Sequence, residues 1–126
     1  MIQRYASGGP WEEVVGYSRA VAADDRVITA GCTSTVDGEV AFVGDAYNQT
    51  RQAYLIALDA IVALGADIVN VVRTRTYLVD PDDAEAAGRA HRELFGSVKP
   101  VSTMVVVARL IHPDHLVEVE VEAIKP

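Results

Sequence analysis

The segment Val117–Ile124 reads Val-Glu-Val-Glu-Val-Glu-Ala-Ile. Side chains of an extended strand alternate between the two sides of a sheet, whereas a helix would mix these residues on every side. The segment therefore predicts a strand with Val117, Val119 and Val121 on a buried face and Glu118, Glu120 and Glu122 on an open one. A sheet built from such strands has one face to be covered by other elements of the chain.

Two helices supply the cover. Asp45 is a good N-cap, and the helix it opens runs to about Leu64, where Gly65 stops it. Tyr54, Leu55, Leu58, Ile61 and Val62 recur at helical spacing and give it an apolar face. A second helix opens at Asp80-Pro81, with Asp80 as cap and Pro81 in the first helical position, and runs to about Phe95. Ala84, Ala87, His91, Leu94 and Phe95 mark its inner side.

The remaining segments read as strands. Residues 19–23 and 26–32 form a hairpin over Asp24-Asp25. Residues 69–79 form a long strand, with Val72, Thr74, Thr76 and Leu78 facing in. Arg73, Arg75 and Tyr77 share the other face, where Arg can pair with the Glu row. Residues 103–110 and 116–124 are expected as antiparallel neighbours joined by the turn His112-Pro113-Asp114, and a short strand can occupy residues 1–5. The order β-β-α-β-α-β-β predicts an α+β sandwich over residues 1–126 as one domain, with two helices packed on one face of the sheet. Thr103, Val105 and Val107 alternate with Met104, Val106 and Ala108, so this strand is apolar on both faces. That pattern predicts a middle strand buried on both sides, its open face covered by another subunit.

Composition narrows the function. The 126 residues are half hydrophobic, enough for a core without staples. Eighteen acidic residues against 11 basic ones leave a net charge of -7, and no two Lys or Arg are adjacent. No nucleic-acid partner is expected from that balance. Neither a membrane span nor a signal-like start is visible, so the chain reads as cytoplasmic. Cys32 is alone, which excludes an internal disulfide. His112 and His115 have no ligand set around them beyond Asp114, so no metal is expected.

Several segments in order resemble one family. They are 15–21 (Val-Gly-Tyr-Ser-Arg-Ala-Val), 27–31 (Val-Ile-Thr-Ala-Gly), Ala57-Leu58 with Leu64-Gly65-Ala66, 71–77 (Val-Val-Arg-Thr-Arg-Thr-Tyr), 99–104 (Lys-Pro-Val-Ser-Thr-Met), 107–110 (Val-Ala-Arg-Leu) and 119–124. Together they resemble the Rid family, the reactive intermediate deaminases also called YjgF-like proteins, over nearly the whole chain. The resemblance implies a chorismate-mutase-like fold of the bacterial trimeric type. It also implies a homotrimer with small-molecule clefts between neighbouring subunits and no cofactor. In the RidA branch such a cleft hydrolyses imines and enamines to ketones and ammonia. An arginine holds the substrate carboxylate, and a glutamate on the last strand helps a positioned water to attack.

Carried over by position, the cleft tyrosine falls on Tyr17, the glycine on Gly31 and the glutamate on Glu120. Met104 takes the place of a cleft cysteine, and Ser102 that of the arginine. Serine supplies neither the fixed charge nor the bidentate fork of arginine. The resemblance therefore implies a ligand site at Tyr17, Gly31, Ser102, Met104 and Glu120 without standard RidA-type chemistry. The alternative is a 2-iminobutanoate or enamine deaminase with another cation in the cleft. Arg73 or Arg75 is either that cation, an ion-pair partner of the Glu row or a trimer contact. Cys32 is either a thiol at the cleft mouth or a buried one. Ser102 reads as a replaced arginine rather than a nucleophile, because no Ser-His-Asp arrangement surrounds it. A ribonuclease role runs against the acidic balance.

Overall fold

The computed structural model describes residues 1–126. In chain order its elements are β1 (Ile2–Tyr5), α1 (Pro10–Val15), β2 (Ala20–Ala23), β3 (Arg26–Thr29), β4 (Thr35–Val36), β5 (Glu39–Val40), α2 (Ala46–Ala63), β6 (Val71–Leu78), α3 (Ala84–Phe95), β7 (Val101–Val106) and β8 (Val117–Ile124). Six strands form one sheet in the order β1-β2-β3-β8-β6-β7, and β4 and β5 form a separate small hairpin. All neighbours in the large sheet are antiparallel except β6 and β7. The expected α+β class and the packing of two long helices on one face hold. The sequence reading lacked α1 and the β4–β5 hairpin.

The alternating segment is the centre of the sheet. β8 pairs with β3 on one side and β6 on the other, and Val117, Val119, Val121 and Ala123 are buried. Against them pack Tyr54, Ala57 and Ile61 of α2 and Phe95 of α3. Each fully buried valine contributes about 1.5–3 kcal/mol of apolar burial. The Asp45 side chain caps α2 by accepting from the Asn48 amide at 3.0 Å. Gly65 follows the helix at φ +95°, a conformation that disfavours any side chain. Asp24 turns the β2–β3 hairpin at φ +55°.

Three expectations need correction. Residues 103–110 are not a neighbour of β8. The α3 connection between β6 and β7 is a crossover, and it lays β7 parallel to β6 at the outer side of the sheet, beyond β8. The strand is consequently an edge strand, not one buried on both sides, and Val101, Val105 and Val106 are exposed in the single chain. Val72 does not face in. A register shift between Val71 and Arg73 turns Val71 into the core and leaves Val72 exposed. Val62 and Ala84 also lie exposed, at the margins of their helices' apolar faces.

The segment between β7 and β8 is fastened by a buried side chain. Gln49 of α2 donates to the Phe42 and Asp114 carbonyls at 3.1 and 2.9 Å, and its carbonyl accepts from the Leu116 amide at 2.8 Å. These bonds fix where β8 enters the sheet and therefore where its glutamates stand. No helix is long and apolar enough to cross a membrane.

Candidate functional site

The open face of β6 and β8 carries the charged rows in direct register. Arg73 stands opposite Glu122, Arg75 opposite Glu120 and Tyr77 opposite Glu118. The rows are not used equally. Glu122 pairs with Arg26 and with Arg73 Nε at 3.5 Å. The Arg26 hydrogen bond, with the neighbouring arginine charges, holds the Glu122 carboxyl below the usual range despite partial burial. Arg73 is thus an ion-pair residue. Arg75 belongs to no ion pair of the chain.

Glu120 accepts a short hydrogen bond from the Tyr77 hydroxyl. That bond raises the Tyr77 pKa by holding its proton, with a smaller push from partial burial. Glu118 has no hydrogen-bonded partner and is partly buried. Burial pushes its pKa up, the Glu120 charge adds to this, and the Arg19 guanidinium opposes both. These groups line a shallow groove of about 340 Å³ with Gly31, Val107 and Arg109. At Gly31 it is contact with the Glu118 side chain, rather than the dihedral angles, that a larger residue would disturb. A methyl group there would meet Glu118 Oε2 at 2.0 Å.

Tyr17 follows α1 and lines a different groove, of about 450 Å³, with Arg4, Glu12 and Glu13. One side chain joins the two grooves. Arg19, just before β2, donates to the Gly31 carbonyl at 2.7 Å and to the Tyr17 hydroxyl at 3.3 Å, and reaches Cys32 Sγ at 3.7 Å. It also pairs with the buried Glu12 at 3.5 Å. Glu12 is anchored by the Ser7 and Gly9 amides at 3.0 and 3.2 Å. Sequence reasoning missed Arg19, Glu12 and Glu118 as members of this region. An arginine two residues after Tyr17, at the entry to a strand, was the available signal for the first.

Cys32 is fully buried and bridges β8 through mutual bonds with Val119. Its thiol points into the core, and burial pushes its pKa up more than Arg19 pulls it down. It is not a thiol at a cleft mouth. His115 pairs with Thr35 at 3.2 Å, and the chain holds no group of three or more His, Cys, Asp or Glu suited to a metal.

Ser102 and Met104 lie elsewhere. β7 is in register with β6 as Thr74 to Ser102 and Thr76 to Met104. Thr74 and Thr76 are buried under the helices, so Ser102 and Met104 project toward the helix-covered side. Glu120 and Tyr77 project toward the opposite side. Within one chain the sheet itself separates Ser102 from Glu120.

The chain is similar to known proteins along nearly its whole length. Residues 11–125 match the family model described as Endoribonuclease L-PSP. The Streptomyces coelicolor protein SCO2049 is 49% identical over 97% of this chain and 91% of its own. The RutC family protein PH0854 of Pyrococcus horikoshii is 32% identical over 86% of each chain. The crystal structure of Rv2704 from Mycobacterium tuberculosis, a member of the YjgF/YER057c/UK114 family, superposes with a TM-score of 0.89. It is 38% identical and covers 98% of this chain and 99% of its own. With this sheet order and these relatives, the chain belongs to the Rid, or YjgF-like, family that the Endoribonuclease L-PSP model describes.

Proposed function

We propose that the chain acts as a homotrimer whose clefts between subunits bind or process a small metabolite, with chemistry altered by Ser102. One observation carries this reading. Ser102 and Met104 face one side of the sheet while Gly31, Tyr77 and Glu120 face the other, so these residues meet only if a second chain brings its copy alongside. The exposed apolar edge strand β7, with Val101, Val105 and Val106, supplies the surface for such a neighbour. Glu120, oriented by Tyr77, can hold a water or a polar hydrogen of the ligand. The serine at 102 leaves that position without the charge that would hold a carboxylate bidentately.

A second reading has its own support. Arg75 stands in register with Glu120 and is free of any ion pair, so it is a candidate for the cation of an imine or enamine deaminase. Generating 2-iminobutanoate in situ and following ammonia release separates the two. The first reading expects wild-type protein at the buffer rate and acceleration on Ser102→Arg. Acceleration by wild-type protein that is lost in Arg75→Met establishes the second instead.

A further inference from the structure

The three glutamates on the open face of β8 differ in what they hold. Glu122 pairs with Arg26 and Arg73, and Glu120 accepts the Tyr77 hydroxyl hydrogen. Glu118 has neither an ion pair nor a hydrogen bond within the chain. Its carboxylate rests over Gly31, in the room left by the missing side chain, where an added methyl group would meet Oε2 at 2.0 Å. It lines the groove of about 340 Å³ together with Tyr77 and Glu120. No unpartnered side-chain oxygen of the chain is sealed from outside, so this carboxylate is open to a group that enters the groove.

The surroundings leave Glu118 one kind of partner. A carboxylate only accepts hydrogen bonds, so it needs a donor. Partly buried without one, it has lost hydration with nothing in exchange. Tyr77 stands opposite in register, but its hydrogen is committed to Glu120. Arg19 reaches Glu118 only through its field, because that guanidinium is held by the Gly31 carbonyl, Tyr17 and Glu12. Arg109 lines the same groove, lies exposed and pairs with neither glutamate. Glu120 adds a like charge two residues away on the same face of the strand. The donor must therefore come from outside the chain. A charged N–H gains a charge-assisted bond there, whereas a carboxylate meets two groups of its own sign.

We infer that Glu118 is a specificity-determining residue of the cleft: it accepts an N–H of a protonated amine on the ligand and turns carboxylates away from this end. This rests on the cleft reading above, of which the groove is one wall, and adds the chemical class of the group recognised there.

Two probes with the same carbon chain and opposite charge, n-butylammonium and butyrate, test it by amide and side-chain carboxyl NMR at neutral pH. In wild-type protein n-butylammonium should shift the Gly31 and Glu118 amides and the Glu118 carboxyl carbon, while the exposed Asp59 and Glu85 stay still. Butyrate should leave the groove unmoved. Glu118→Gln keeps the shape and removes the charge, so n-butylammonium should bind about tenfold more weakly and butyrate no more weakly. That variant also removes a carboxylate whose burial disfavours its charge, so a lost fold cannot explain the lost binding. Equal shifts at Asp59 and Glu85, or an unchanged affinity in Glu118→Gln, overturn the proposal. Groove shifts with butyrate that match or exceed those with n-butylammonium overturn it and leave the cleft reading intact. A groove silent to both probes overturns both.

Discussion

Glu12→Ala tests whether the region around Tyr17 and Gly31 is held by one buried carboxylate. Glu12 is 6% exposed. It accepts from the Ser7 amide at 3.0 Å, the Gly9 amide at 3.2 Å and the Ser7 hydroxyl, and it pairs with Arg19 at 3.5 Å. Hydrogen bonds to a charged group contribute about 1.5–3 kcal/mol each. Ser7 lies at the surface, so water recovers part of that loss once the carboxylate is gone. Arg19 keeps its bonds to the Gly31 carbonyl and Tyr17 but loses its carboxylate. The net cost should be about 3 kcal/mol, well below the sum of the bonds. Urea unfolding reads this directly, since the midpoint should fall with no change in slope.

The pH dependence of that difference is a second readout. Burial alone would raise the Glu12 pKa, but the Ser7 and Gly9 hydrogen bonds and the Arg19 charge outweigh it and lower the value. A lowered folded pKa gives stability that is present above the unfolded value and is lost as pH falls through the folded one. The gap between wild-type protein and Glu12→Ala should therefore shrink at acid pH. A loss under about 1 kcal/mol at neutral pH, or a gap that stays constant into acid, refutes the reasoning.

Further outcomes follow from other buried or crowded groups. Gly31→Ala should fold normally, because the clash falls on the movable end of Glu118. That carboxylate would have to retreat by roughly 1.5 Å to reach ordinary contact distance, which should be seen as lost metabolite binding with a nearly unchanged melting temperature. Gln49→Ala should cost roughly 2–4 kcal/mol in chemical unfolding, since it strips partners from Phe42, Asp114 and Leu116 at once. Glu118→Gln should raise the melting temperature near neutrality and change little in acid. Burial raises the Glu118 pKa, so its charge opposes folding progressively as pH rises through the folded value.

The sequence was most informative where periodicity was strict. The valine–glutamate alternation located the central strand, its two faces and the arginine row beside it, because one strand face is buried and the period of two is unambiguous. The caps Asp45 and Asp80 and the breaker Gly65 fixed helix ends, although Asp80 caps a short 3-10 turn that precedes α3. Helix α1 was not legible. Its six residues are too few for a period, and Trp11, Val14 and Val15 are exposed, so Glu12 rather than an apolar face holds it. The place of β7 was also hidden. An apolar strand reads the same whether it is central or lies at an edge that another chain covers, and pairing order is a tertiary property. The site was half legible. Family resemblance singled out Glu120 and Gly31, which share a groove, and Ser102, which the sheet keeps from them. Arg19 escaped because its partners Glu12, in α1, and Gly31, after β3, belong to other elements and meet it only in the fold.

The most direct test of the central claim is the mass of the protein in dilute solution by sedimentation or light scattering. A cleft that unites Ser102 of one chain with Glu120 of another predicts a stable particle of three times the 13.5 kDa chain. A particle of 13.5 kDa at working concentrations contradicts it, because a single chain cannot bring those residues to one side of its sheet.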